Sequence, residues 1–405
     1  MARNILTVFA GRRKNIELLS RYLRRALEQG TLHEVHFWDY TRNAEDSAFL
    51  RSVSNLKRTS GADGGRYVRL ATPVVDNAVD VRVRAASDAH IKILCGVREY
   101  EIVLGGWDNT KCAIRLAERT LYEAVHENVM DAGAKIGFRV SIVAGRLRVL
   151  REGALLIDYA LNESEPISTV WLKTGHRSPG EVEFRATENA RFFYMDPCER
   201  GWKDYYEHYA AAEYRDDVIV KCDDDICFID LNVLPRYLAF ARSCDLDLVF
   251  ANTINNGVSA FYQQHMYKLI PSSLMQLEYP PEGLCGSLWE SGSKADALHR
   301  HFVSNHTEFR SLEYRNRIIP VKTRYSINFF AFKGRDWPKV ADCYRDDEHE
   351  LTVKCVKERG FRNAIYPGMF VSHLSFYRQV ETGIDLEGTL KLYESFADAE
   401  LGADA

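Results

Sequence analysis

The run from Val218 through Asp223, Asp224 and Asp225 to Asp230 constrains the fold more than any other stretch of this chain. An apolar, β-branched segment enters it (Val218 to Cys222), three consecutive carboxylates interrupt it, and a second apolar segment leaves (Ile226 to Ile229). This is how a sheet strand delivers acids to its own exposed end. Three adjacent aspartates repel one another, so the cluster needs a positive partner, and a divalent cation held together with a phosphate-bearing ligand is one solution. The plainer reading is a solvated turn between two strands. Turns normally draw Gly, Asn or Pro, and this junction has none of them.

With 405 residues the chain is long enough for two or three domains. A formal net charge of -4 leaves no electrostatic footprint for nucleic acid or an anionic membrane surface. No apolar run reaches the length of a membrane span, and the start from Met1 to Gly11 turns polar too soon for a signal peptide, so a cytoplasmic location is expected. The nine cysteines include no Cys-x-x-Cys pair and are scattered through apolar segments such as those around Cys95 and Cys355. That pattern suits reduced, buried thiols and argues against a disulfide framework or a structural zinc site.

Taken in order, residues 4–9 read as a strand, and Ile16, Leu19, Leu23, Ala26 and Leu27 then recur at helical spacing up to Gly30. Residues 35–39 form a second strand, which gives a β-α-β unit of a parallel sheet. Ligands bind at the strand ends of open α/β sheets, so Ala10, Gly11, Arg12 and Asp39 stand where a nucleotide would sit. The plainer roles are a chain turn at Gly11, a solvated Arg12, and an Asp39 that caps the next helix. From about Leu56 the pattern changes: Val79, Val81 and Val83 alternate with Asp80, Arg82 and Arg84, and Ala144-Gly145-Arg146 separates two alternating runs as a hairpin would. An antiparallel all-β module is therefore inserted in the chain.

After Glu188 the α/β pattern resumes. Trp202, Tyr205, Tyr206 and Tyr209 lie on one helical face and read as core; a helix over Val233 to Cys244 and a strand over residues 247–252 come after the triplet. Residues 253–317 lack periodicity and read as an irregular functional region for acceptor recognition. Asp346, Asp347, Glu348 and Glu350 open a helix that runs to Arg359, and four acids in five positions exceed what helix capping needs. His373 stands at the end of an apolar strand, and the tail beyond Glu381 is weakly helical.

Two parts of the chain resemble known families. The stretches Tyr100-Glu-Ile-Val-Leu-Gly-Gly-Trp107-Asp-Asn-Thr-Lys111 and Val170-Trp-Leu-Lys-Thr-Gly175 resemble the farnesoic-acid-methyltransferase-like domain, over roughly residues 57–188. That resemblance implies an accessory β-sandwich, lectin-like or used in partner contacts. Methyl transfer is disfavoured, because no Gly-x-Gly-x-x-Gly loop is present. Trp107 and Asn109 are candidates for facing a sugar, although a tryptophan in a small sandwich more often lies in the core.

The second resemblance rests on Asp223-x-Asp225, on Asp346-Asp-Glu-x-Glu-Leu351 and on Val371-Ser-His373. Together they look like glycosyltransferases of the GT-A fold, an α/β, Rossmann-like, mostly parallel sheet. The resemblance covers residues 1–56 and 189–380, with the sandwich at 57–188 inserted and 381–405 as a tail. It implies a nucleotide-sugar donor, expected to be a UDP-sugar, a glycan or glycoconjugate acceptor, and Mn²⁺ or Mg²⁺ at the diphosphate. Asp225 is the first choice of metal ligand, Asp223 serves the ribose or the metal, Asp224 assists donor binding, and His373 is a further ligand. An inverting transfer needs a base, and the acidic motif places it at Asp347 or Glu348, with Asp346 beside them. The usual Glu-Asp order is here Asp-Asp-Glu, which leaves the base open between them. The competing readings are a nucleotidyltransferase, which also clusters aspartates, and a non-catalytic carbohydrate-binding protein in which the β module binds.

Overall fold

The computed structural model describes residues 2–60, 67–70, 77–117, 119–161, 165–175, 180–184, 191–195, 197, 201–314 and 317–402. They divide into two compact units, Met1–Thr41 with Pro197–Ala405, and Arg42–Asp196. The change of sequence pattern places the boundaries after residues 56 and 188 instead. The second of these lies outside the described residues, and helix Ala44–Val53 and strand Asn55–Ser60 fall in the second unit.

The first unit is built on a mixed sheet whose strand order is Glu34–Asp39, Asn4–Ala10, Val218–Asp223, Phe329–Lys333, Leu248–Ile254, Asn363–His373 and Ile226–Ile229. Asn4–Ala10 pairs in parallel with both Glu34–Asp39 and Val218–Asp223, with Phe9 opposite Asp223 and Ala10 opposite Asp39. Beyond these three strands the sheet departs from the expected mostly parallel, Rossmann-like GT-A arrangement. Strand Phe329–Lys333 enters antiparallel to both of its neighbours, and Asn363–His373 pairs antiparallel with Ile226–Ile229 and Ile319–Val321. Antiparallel ladders predominate in the chain as a whole. Leu248–Ile254 and Asn363–His373 do run parallel, but the strands on either side of that pair are antiparallel to it, so the opening β-α-β pattern does not continue unbroken through this region.

Helix Arg13–Glu28 buries Ile16, Leu19, Leu23, Ala26 and Leu27 as its spacing predicts. The region 253–317 is irregular only in part: helices Gly257–His265 and Gly292–Ser304 lie within it, on either side of a largely irregular stretch, capped by Asn256 and Ser291, whose side chains accept from Ser259 N and Lys294 N. The acidic motif starts a broken helix, with a π-helical turn over Glu350–Lys354 between two short α segments. Helix Leu386–Leu401 buries Tyr393 and Ala397, so the tail is packed. No helix among the described residues is long and apolar enough to cross a membrane.

The second unit is a β-sandwich. One sheet runs Val68–Leu70, Ile167–Thr174, Ala89–Cys95, Arg98–Gly105, Lys111–Leu116 and Arg119–Val125, antiparallel throughout. The other includes Ala78–Ala85, Ile136–Val143, Arg146–Arg151 and Ala154–Ala160. The predicted hairpin is present: Val143 faces Arg146, and Ala144 and Gly145 both have positive φ, the pattern of a two-residue hairpin turn. Val79, Val81, Val83, Ile91, Ile93, Ile102 and Ile114 are buried in its core.

One close approach in the first unit gives a direct test. Gly334 donates its N–H to Asp217 O, and a Cβ at Gly334 would run into the Tyr214 carbonyl, a backbone atom that has nowhere to go. Gly334→Ala should lower stability by about 1–3 kcal/mol, read as a lower denaturant midpoint with an unchanged m value. Wild-type stability in that variant would show that the loop relaxes freely.

Candidate functional site

The Asp triplet lies at the ends of two strands, with Asp223 closing Val218–Asp223 and Ile226 opening the next. All three side chains are engaged by protein cations or amides. Asp223 accepts from Lys221 Nζ at 2.5 Å and from Asn328 Nδ2 at 2.8 Å. The Lys221 ammonium is itself buried, bonded to Ile327 O and placed 4.3 Å from the centre of the Phe9 ring. Asp224 accepts from Gly11 N at 3.1 Å and from Arg12 Nε and Nη2 at 3.2 and 2.7 Å, a two-pronged pair. Arg12 Nη2 also donates to Asp225 Oδ2 at 2.9 Å. Gly11 is tight here, since a Cβ would stand 3.3 Å from Asp224 Oδ2.

His373 is brought to Asp225 by the antiparallel ladder, in which Ile226 faces His373 and Leu374 N donates to Asp225 O. Its Nε2 lies 3.3 Å from Asp225 Oδ1, an ion-pair distance that lacks hydrogen-bond geometry. Asp225 Oδ1 and, elsewhere on the imidazole, His373 Nδ1 are buried without a hydrogen-bond partner among the described residues. The carbonyls of His373 and Leu374 are held by Asn255 Nδ2, a fully buried residue at φ 66° whose amide also pairs reciprocally with Gln379. A non-glycine residue held in the left-handed region beside a site is a common mark of function.

Electrostatics separate the acids. Burial pushes the Asp224 carboxyl up, against Arg12. Burial also acts to raise Asp225, but His373 and Arg12 outweigh it and hold the group well below the usual carboxylate range. In the acidic motif, Asp346 caps the short helix and pairs with Arg324 at 3.0 Å. Asp347 accepts from Tyr206 Oη at 3.1 Å and Glu348 from Arg324 Nε at 2.5 Å. Burial pushes Asp347 up; the Lys221 cation opposes this shift and the Asp223 anion adds to it, so the acidic motif and the triplet share one electrostatic environment. Glu348 is also raised by burial, against its pair with Arg324.

Among the predicted residues, the structure brings together Ala10, Gly11, Arg12, Asp223, Asp224, Asp225 and His373. Asp39 stands at the same sheet edge, beside Ala10, with its Oδ1 accepting from Thr41 N and Oγ1. Sequence reasoning misses Lys221, Asn328, Arg324 and Asn255. Lys221 carries a readable signal, a lone charge inside a β-branched strand, whereas the spacing of Tyr206 marks it as core alone. Among the described residues no set of three His, Cys, Asp or Glu side chains is placed to hold a metal ion. Asp225 Oδ1, unpartnered among the described residues and 3.3 Å from the His373 imidazole, fits a cation that arrives with its phosphate ligand and does not fit a resident ion.

The family described as farnesoic acid 0-methyl transferase matches residues 62–180, within the second unit. No curated protein matches the chain. Among solved structures, a native glycosidic hydrolase is similar at 15% identity and TM-score 0.25, over 32% of this chain and 74% of its own. A Bacillus licheniformis beta-glucanase matches at 10% identity and TM-score 0.23, over 32% of this chain and 89% of its own. A Caenorhabditis elegans galectin matches at 11% identity and TM-score 0.23, over 32% of this chain and 94% of its own.

Proposed function

We propose that the first unit transfers a sugar from a nucleotide-sugar donor, a UDP-sugar in the first instance, to a hydroxyl of a glycan acceptor. The observation that carries the reading is the gathering, at one sheet edge, of Arg12, the Asp triplet and His373; Asp347 lies within electrostatic reach of Lys221 and Asp223, and burial raises the proton affinity of both Asp347 and Glu348. A carboxylate with a raised pKa is suited to accept the acceptor proton near neutral pH. The acceptor oxygen then bonds to the anomeric carbon, the bond from that carbon to the diphosphate oxygen breaks, and its electron pair leaves on the phosphate. Arg12 is a permanent cation at that edge and can shift from Asp224 and Asp225 to the departing diphosphate. Mn²⁺ or Mg²⁺ entering with the donor would be held by Asp225 and His373 and would neutralise the leaving group. Asp347 or Glu348 serves as base, with Tyr206 and Arg324 orienting them.

One observation favours a second reading, a carbohydrate-binding protein without catalysis. The triplet is already held within the chain by two cations, Lys221 and Arg12, and by the Asn328 amide. Under that reading glycan binding survives Asp225→Ala and no sugar nucleotide is consumed.

Two measurements test the enzyme. With Mn²⁺ and a panel of sugar nucleotides, at least one UDP-sugar should raise the melting temperature and be turned over; Asp347→Asn or Glu348→Gln should cut transfer by about 100-fold or more while donor binding is kept. Turnover of no sugar nucleotide, or normal transfer in both variants, would sink the proposal. The second measurement is stability against pH. Asp347 has a folded-state pKa above its unfolded one, so its charge opposes folding above that folded value, and the penalty fades as pH falls through it towards the unfolded pKa. Asp347→Asn should therefore raise the melting temperature at pH 7.5, with the gain shrinking on acidification. A loss at pH 7.5 would reverse the assigned sign.

A further inference from the structure

One face of the six-stranded sheet in the second unit carries a row of charged and aromatic side chains. Strand registers place Trp171 beside Lys92, Lys92 beside Glu101, and Glu101 beside Arg115, while Lys173 stands beside His90 in the next row. The opposite face of the same strands carries Leu172, Ile91, Ile102 and Ile114, all buried, so the core is already supplied from that side. Glu101 sits at the centre, accepting from His90 Nδ1 at 2.9 Å and from Tyr67 Oη, with Arg115 Nη1 at 3.5 Å. These bonds, that of His90 first, lower the Glu101 carboxyl to about 2.

The face is also roofed. Val103 and Ala113 belong to this side by register, yet they are 2% and 0% exposed. The turn after Arg98–Gly105 folds back over them: a Cβ on Gly106 would meet Val103 Cγ1 at 2.9 Å. That turn holds Trp107, Asp108 and Asn109 at φ of 49°, 57° and 65°, three successive non-glycine residues in the left-handed region. Such residues persist only when their surroundings over-determine them. Here Asn109 fixes the turn, its amide bonding both Met130 N and Met130 O at 2.9 Å. The outcome is a tryptophan 42% exposed, flanked by Lys111 Nζ and Arg115 Cζ at 5.5 and 5.4 Å from the ring.

We infer that this face, with Tyr67, His90, Lys92, Glu101, Trp107 and Arg115, is a binding site for an uncharged oligosaccharide. The choice of ligand rests on the mixture of groups. A carboxylate at the centre repels polyanions, and Lys92, Lys111 and Arg115 are each paired with a carboxylate, Glu99, Glu123 and Glu101, which leaves Lys173 as the single excess charge among these residues and the net pull on charge small. Sugar hydroxyls both donate and accept, so one residue can give a proton to Glu101 while taking bonds from Arg115 and Lys92. The apolar face of a sugar ring packs on indole, which supplies contact area at small entropic cost. This inference is independent of the strand-end site in the first unit.

The test is calorimetric titration of the full chain with uncharged tetrasaccharides of glucose (β-1,3 and β-1,4), mannose, galactose, xylose and N-acetylglucosamine, with polygalacturonate as the charged arm. At least one uncharged member should bind saturably, with affinity reduced about tenfold or more in both Trp107→Ala and Glu101→Gln. Arg115→Lys, which keeps the charge and loses the fork, should weaken it too, and unchanged melting temperatures would confirm that these variants fold. If no uncharged member binds, if both substitutions leave binding intact, or if only polygalacturonate binds and salt removes it, the inference is overturned.

Discussion

Three neighbouring carboxylates at the end of a buried strand cannot be left to solvent, and their neutralisation organises the first unit. Asp223 draws Lys221 from its own strand and Asn328 from the chain leading into the returning strand. Asp224 and Asp225 share Arg12, which lies at the start of the first helix, and Asp225 meets His373 from a fourth segment. Each partner comes from a different part of the sequence, so satisfying the charge forces these segments to one sheet edge. Removing one member from so coupled a set leaves a buried charge uncompensated, which costs more than the pair contributes.

Local irregularities gather at the same edge. Asn255 holds a left-handed backbone beside His373, and the π-helical turn begins at Glu350, after the short segment Asp347–His349. Regular packing would favour neither. Natural proteins keep such departures where geometry matters more than stability, and the raised proton affinity of Asp347 is a further stability cost accepted in that place.

What can be read from the sequence is short-range. The apolar runs locate Val218–Asp223 and Ile226–Ile229, helical spacing locates the buried face of Arg13–Glu28, and Ala144-Gly145 announces its hairpin. Strand direction cannot be read in this way, because an apolar run is the same in a parallel and an antiparallel neighbour; the insertion of Phe329–Lys333 between two strands thus defeats the GT-A expectation. Residues 253–317 hide their helices behind polar caps, Asn256 and Ser291, that resemble loop composition. Lys221 and Trp107 show opposite failures. A charge inside a strand is easily passed over although its partners sit beside it. An aromatic in a sandwich reads as core, because the strained turn that holds it outward leaves no composition signal.

The pairing of the first strand with Val218–Asp223 bears on how the protein is made. Arg3 grips Asp217 through its backbone N–H, Nε and Nη2, a contact spanning 214 positions, and it sets the register of the two strands next to it. A ribosome adding roughly 5–20 residues each second would take about 10 to 40 seconds to supply that partner. During this interval the amino-terminal strand and helix have an open edge and an unfilled apolar face, while the sandwich made after them can already close on antiparallel neighbours nearby in sequence. The second unit is thus free to finish first, and the sheet that carries the triplet forms after it, around a strand made before the sandwich.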